Sequence, residues 1–284
     1  MNFYGNQAVY PDPEIPLAEN WVLKNKDRGV PNHKATEESR GSRSGFWPIE
    51  TLIRRGYGLC TLHYSDIDPD FDDDFQNGIH GYFGRGENPS SISAWAWGLK
   101  QVGQYLDLQT WVDRRAVFGH SRLGKTALWI GATDPGYGLV ISNDSGCGGA
   151  ALSKRKFGET LKRINTQFPH WFSKNFHHYN EREEELPFDQ HFLMASIAPR
   201  LLYVASAQSD LWADPRGEEM SLQHAQPVFD LIGGKTQYHR RPGLHRVTPY
   251  DWERFLDFAD AYWKPQNSQH PQTKSSPGHQ VFRR

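Results

Sequence analysis

The sequence predicts an α/β protein built on a mostly parallel, doubly wound sheet. Three observations carry that reading. Short apolar runs ending in turn residues alternate with segments of helical periodicity along most of the 284 residues. One stretch, RRAVFGHSRLGKTALWIGA (114–132), passes from a strand pattern to a helix pattern through a serine with glycines nearby. The segment at about 250–263 places Trp252, Phe255, Leu256, Ala259 and Trp263 on one helical face.

The elements follow in order. NFYGNQAV (2–9) reads as a strand end running into a loop, and the polar stretch 31–45 as a surface loop. GYGLCTLHYSD (56–66) reads as a strand whose carboxyl end meets an acidic loop, with Cys60 a buried thiol inside it. Residues 91–106 form an amphipathic helix with Ile92, Trp95, Leu99, Val102 and Leu106 on one face. The strand at 114–118 and a helix carrying Leu123, Ala127, Leu128 and Ile130 follow, ended by Pro135. Further strands fall at 138–144, 200–210 and 236–243. The aromatic and charged segment 148–198 reads as an insertion or cap over one end of the sheet. One domain, 1–263, is expected, with a polar, disordered tail at 264–284.

Composition removes several function classes. Net charge is −1, which gives no electrostatic footprint for nucleic acid or an anionic membrane. No apolar run approaches the ~20 residues of a membrane helix. The N-terminus lacks the basic start and apolar stretch of a signal peptide. Cys60 and Cys147 are the only cysteines, too few for a disulfide framework. Ten tryptophans offer flat faces with one donor each, suited either to a core or to sugar rings.

Ser121 sits where strand becomes helix, the context of a nucleophile elbow. The usual pattern is G-x-S-x-G, but here the second glycine, Gly124, comes one place late and Arg122 follows the serine. A serine nucleophile needs a histidine base oriented by a carboxylate. His245, between the last strand and the final helix, occupies the expected place for the base, whereas His239 lies within the strand. Asp210, at the end of the 200–210 strand, is the favoured acid, with Asp144 after the preceding strand as the alternative. The residue after the nucleophile gives its backbone N–H to an oxyanion hole, and an arginine there can add its guanidinium. A cation on the first turn otherwise opposes the helix dipole, so Arg122 points to function.

The acidic run DIDPDFDDDF lacks the glycine and terminal glutamate of an EF-hand loop and is interrupted by Pro69, so it reads as a solvated loop. His170, His177 and His178 lack zinc-like spacing. No metal and no cofactor is expected.

The serine–arginine elbow, Gly119, Ser121, Arg122 and Gly124, resembles that of the glucuronoyl esterases, carbohydrate esterase family fifteen. The resemblance continues through ISNDSGCGGAALSKRKFGET, FPHWF, LPFDQH, APRLLYVASAQSDLWADPRGE and HRRPGLHRVTPYDW, across residues 2–263. It implies an α/β-hydrolase fold and carries the family's serine, arginine and histidine onto Ser121, Arg122 and His245. Sugar-binding roles fall to Lys125, Glu159 and Trp212. Family members using the earlier acid position generally have glutamate there, so Asp144 is the weaker candidate. His120 and Arg246 stand where fungal members have a disulfide, which places the chain with the bacterial branch. The resemblance implies that the family's first strands are missing ahead of residue 1. The implied activity is hydrolysis of (4-O-methyl-)glucuronic acid esters in lignin–glucuronoxylan linkages, and export to the periplasm or medium is implied with it. The alternatives are an esterase of another carbohydrate ester, such as acetylated xylan, and a non-catalytic carbohydrate-binding protein on the same scaffold.

Overall fold

The computed structural model describes residues 1–264 apart from 85, 87 and 88. Among these, strands β1 (Ala116–His120), β2 (Leu139–Asn143), β3 (Leu201–Ala207) and β4 (Lys235–Arg241) lie side by side in chain order, and every pairing is parallel. The register aligns their carboxyl ends: His120 faces Asn143, Asn143 faces Ala205, and Ala205 faces His239. β2 and β3 are buried at every position, which is why their sequences run almost continuously apolar.

The helices longer than one turn are α1 (Ile49–Arg54), α2 (Ser91–Asp107), α3 (Arg122–Thr133), α4 (Leu161–Gln167), α5 (Gln190–Ala195), α6 (Pro215–Ile232) and α7 (Pro249–Trp263). Strand alternation feeds two cores, one on each face of the sheet. Val140, Leu202 and Val204 pack with Trp95 and Leu99 of α2, Leu128 of α3, and Leu222 and Phe229 of α6. Leu139, Ile141 and Tyr203 pack with Trp252, Phe255 and Leu256 of α7. Full burial of such a side chain stabilises the fold by about 1.5–3 kcal/mol. The helix ends follow the chemistry of capping: Ser90 accepts from the Ser93 N–H, and Thr248 with Asp251 forms a capping box ahead of α7.

The fold is the doubly wound α/β architecture that the sequence predicts, with two corrections. Residues 56–66 form no ladder strand. Only Asn2 bridges His63, through Asn2 N–H to the Leu62 carbonyl at 2.9 Å and Tyr64 N–H to the Asn2 carbonyl at 3.2 Å. A cleft of about 550 Å³ is lined by Leu59 and Cys60 and by Ala116 and Phe118 of β1, so among the described residues the run has no neighbouring strand along its length. Cys60 is accordingly exposed, and Cys147 is buried. The second correction is α6, an 18-residue helix that the sequence reading did not anticipate, because Pro227 lies inside it and a Pro-Arg-Gly triplet opens it. The segment 148–198 contributes Leu161, Ile164, Trp171, Met194 and Ile197 to the core on the α2–α3–α6 side. The tail expected to be disordered falls, beyond Lys264, outside the described residues.

Candidate active site

Ser121 has φ 59° and ψ −129°, a sparsely populated backbone conformation for a residue with a side chain. Such a conformation costs on the order of 1–3 kcal/mol and is held by its surroundings. The parallel ladder continues into it through Ser121 N–H to the Asn143 carbonyl at 2.9 Å, and α3 begins at the next residue. Ser121 occupies the N-cap position, but its side chain makes no capping hydrogen bond among the described residues. Its hydroxyl is therefore not committed to the helix.

The two glycines explain the tightness of the bend. A Cβ on Gly119 would lie 1.8 Å from the Leu123 carbonyl oxygen, so strand and helix touch there. A Cβ on Gly124 would lie 2.8 Å from the Ser145 Cβ. The late glycine thus clears room for the loop after β2, the job of close packing displaced by one residue.

His245 lies in the loop between β4 and α7, and its Nδ1 is 2.5 Å from Asp210 Oδ2. Several bonds bring these groups together. Gln208 N–H donates to the Arg241 carbonyl at 2.7 Å and Ser209 N–H to the Gly243 carbonyl at 3.0 Å, clasping the end of β3 to the loop. Arg241, buried at the end of β4, donates from Nε to both Asp251 oxygens. Its remaining nitrogens donate to the carbonyls of Pro242, Leu244 and Arg246, which fixes the loop from inside. Ser121 and His245 line one cavity of about 300 Å³, together with Tyr4, Phe46 and Phe118. His239 is elsewhere, held between Tyr203 and Asp251 in the α7 core.

Asp144 is also near, but differently placed. It is 1% exposed, accepts the Ala207 N–H at 2.5 Å, and leaves Oδ2 without a hydrogen-bond partner among the described residues. Burial, reinforced by the Glu218 charge, pushes its pKa up to about 8. At neutral pH it is mostly protonated. One atom each from Asp144, Asp210 and His245 lies within 4.8 Å of the others, and the Asp210–His245 hydrogen bond is one of those three approaches. His120, whose ring lies 4.6 Å from that of His245, is bonded to Asn143 at 2.7 Å; burial and then the His245 charge pull its pKa down to about 3. A neutral His120 does not oppose charge on His245.

Lys125 is 5% exposed and donates to the Ser145 carbonyl, with its ammonium 5.7 Å from the centre of the Trp171 ring. Burial lowers its pKa, and the Glu159 charge partly offsets that. Burial raises the Glu159 pKa, while the Lys125 charge and the Trp212 side chain act against the rise. Glu159 N–H donates to the Trp212 carbonyl at 3.0 Å, so the three residues form one group. Trp212 is 45% exposed, with the Arg163 guanidinium 4.8 Å from its ring centre.

The structure also overturns the reading of the acidic run as solvated. Asp72 and Asp74 are exposed, but Asp68 and Asp70 are buried. Asp68 accepts from the Ser91 hydroxyl at 2.5 Å, and Asp70 binds Arg122. Spacing within the run carries no signal of this, since the partners lie far along the chain.

A family model described as "Glucuronyl esterase, fungi" matches residues 49–233, about two thirds of the chain. The chain belongs to the glucuronoyl esterase family. A carbohydrate esterase, MZ0003, from an unknown prokaryotic organism is 46% identical over 92% of this chain and 66% of its own length. The 4-O-methyl-glucuronoyl methylesterase 1 of Phanerochaete chrysosporium is 33% identical over 66% of this chain and 44% of its own. Among solved structures, the glucuronoyl esterase from Solibacter usitatus superposes with a TM-score of 0.83 at 42% identity, covering 92% of this chain and 72% of that one. A CE15 esterase from a marine bacterial metagenome, described as promiscuous, gives 0.84 at 46% identity, covering 91% and 72%. The chain thus spans about half to two thirds of these curated relatives' lengths. The greater likeness to the prokaryotic members places this glucuronoyl esterase family chain in the bacterial branch, and the fold is the family's α/β-hydrolase fold.

Proposed function

We propose that the protein is a serine esterase acting on esters of (4-O-methyl-)glucuronic acid, the class of bond that joins lignin to glucuronoxylan. The observation that carries the reading is Ser121 in its strained conformation at the β1–α3 join, sharing a cavity with a histidine hydrogen-bonded to Asp210. Ser121 Oγ attacks the carbonyl at sugar C6. His245 Nε2 takes the proton and returns it to the departing alcohol, and Asp210 holds the Nδ1–H tautomer. Water then repeats the sequence on the acyl-enzyme. Backbone N–H groups and Arg122 stabilise the oxyanion of both steps. No cofactor is invoked.

Lys125, Glu159 and Trp212 act on the acyl side. The reacting carbon belongs to the uronic acid, so the sugar ring stays on the enzyme after the alcohol leaves. Contacts from these residues therefore serve both half-reactions. An acetyl ester would leave the buried Lys125 and the half-buried Glu159 without those partners, at up to about 1–3 kcal/mol for a fully buried group. Family relatives are named for methyl glucuronate ester cleavage, which supports the substrate class. Because the substrate is a wall polymer, the enzyme acts in the periplasm or outside the cell. Among the described residues, no helix is long and apolar enough to cross a membrane.

The deciding measurement compares kcat/KM for benzyl glucuronate and for acetylated xylan. Glucuronate should be preferred by well over tenfold, the factor set by about 1.4 kcal/mol. Lys125→Ala should depress glucuronate turnover while sparing a simple aryl acetate. A preference for acetylated xylan would refute the substrate assignment and leave the fold untouched.

A further inference from the structure

Arg122 does not hang free over the nucleophile. One of its terminal nitrogens donates to Asp70 Oδ2, which also accepts from the Tyr64 hydroxyl at 3.0 Å. The other carboxylate oxygen accepts from His170 Nε2 at 3.0 Å and from the Trp171 indole N–H at 2.7 Å. Four donors therefore fill the roughly four lone-pair sites of one carboxylate. The guanidinium is also walled by rings, with Trp171 at 4.6 Å, Phe168 at 5.3 Å and Phe3 at 5.8 Å from its carbon.

The arrangement has a chemical use. An oxyanion donor contributes most when it is fixed before the charge forms, since nothing then reorganises during the reaction. A long arginine side chain on a helix's first turn, repelled by the dipole, would otherwise sample many rotamers. We propose that Asp70 is a positioning residue for the reaction at Ser121, holding the Arg122 guanidinium at the oxyanion site. The proposal rests on the reading of Ser121 as a nucleophile. The partners of Asp70 come from three separate places: the first turn of α3 (Arg122), the 56–66 segment (Tyr64), and the 148–198 segment that supplies His170 and Trp171. Burial by itself would raise the Asp70 pKa, but the bonds from His170 and Trp171 and the Arg122 charge hold it at about 2. The anchor is thus charged across the assay range.

A different outcome is physically reasonable, which makes the test sharp. Asp70 also cancels part of the Arg122 charge, so if it served only to neutralise that charge, removing it would strengthen the field at the oxyanion. Asp70→Asn and Arg122→Ala are made singly and together, and kcat and KM are measured on 4-nitrophenyl acetate and on benzyl glucuronate. Asp70→Asn should lower kcat by about ten- to a hundredfold, the scale of a misplaced catalytic group, with KM little changed. In the Arg122→Ala background it should change kcat by less than about twofold, because the interaction it supports is already gone. Equal losses in both backgrounds, a raised KM alone, or an unchanged or raised kcat would overturn the proposal. If Asp70→Asn fails to fold by near-ultraviolet circular dichroism, Trp171→Phe carries the same cycle. It removes one donor and keeps a ring against the guanidinium, with an expected loss of about three- to tenfold, a fraction of a whole donor's worth. A wild type inactive on both esters would sink the serine-esterase reading and this proposal together. An active wild type with multiplicative losses would sink this proposal alone.

Discussion

Asp144 and Asp210 close neighbouring strands of one sheet, both within reach of His245, yet their surroundings differ. Asp210 meets His245 Nδ1 at 2.5 Å. Asp144 spends one oxygen on the Ala207 N–H and has its other 4.0 Å from His120 and 3.7 Å from Arg241. Burial and the neighbouring Glu218 push Asp144 towards its neutral form. A neutral carboxyl cannot stabilise an imidazolium as a carboxylate does. Place in the topology therefore nominates both acids, and environment separates them.

Three experiments would break or sharpen that contrast. Ser121→Ala sets the floor, with kcat falling by roughly 10⁴ or more, as loss of a nucleophile does. Residual activity within tenfold of wild type would remove Ser121 from its role and leave neither acid a partner in catalysis. Asp210→Asn should come next, lowering kcat by about 10²–10⁴, since the tautomer and the imidazolium both lose their support. Asp144→Asn should cost no more than about tenfold, near 1.4 kcal/mol of barrier. A reversed ranking in steady-state kinetics would pass the orienting role to Asp144.

The smallest effect lies in stability and has a definite sign. An unfolded aspartate titrates near 3.9, so between about pH 4 and 8 the folded protein holds a proton on Asp144 that the unfolded chain has released. Unfolding then releases a proton, and the contribution of this group to stability declines as pH rises through that window. Thermal melts should show Asp144→Asn losing less Tm between about pH 5 and 8 than wild type does. An unchanged slope would mean Asp144 is ionised in the folded state, which would reopen its candidacy as the acid.

The strands and the bend at Ser121 were legible because their causes are local. Buried parallel strands are apolar at consecutive positions, and a close crossing demands glycine, so the pattern around 114–144 reads directly. The pairing of His245 with Asp210 was legible from chain order, through the elbow that precedes them. What failed to read depends on contacts distant in sequence. Asp70 resembles its solvated neighbours Asp72 and Asp74, and besides the nearby Tyr64 it is Arg122, His170 and Trp171, between 52 and 101 residues away, that distinguish it. Residues 56–66 failed for the complementary reason: apolarity reports a tendency to be buried, whereas a strand needs a partner's backbone at its side. Helix α6 was hidden by Pro227, whose local signal is that of a breaker.

The loop bearing His245 is braced from inside by one side chain that reads only its main chain. Arg241 takes the carbonyls of Pro242, Leu244 and Arg246, groups that every substitution leaves in place. The outward side chains of Leu244 and Arg246 are exposed and carry none of this bracing. Form and identity are thus uncoupled along this loop: its exposed side chains can drift, or be redesigned, while the imidazole stays where it is. Within the fold this is a site of evolvability, where side chains can change without disturbing the main chain that carries the imidazole.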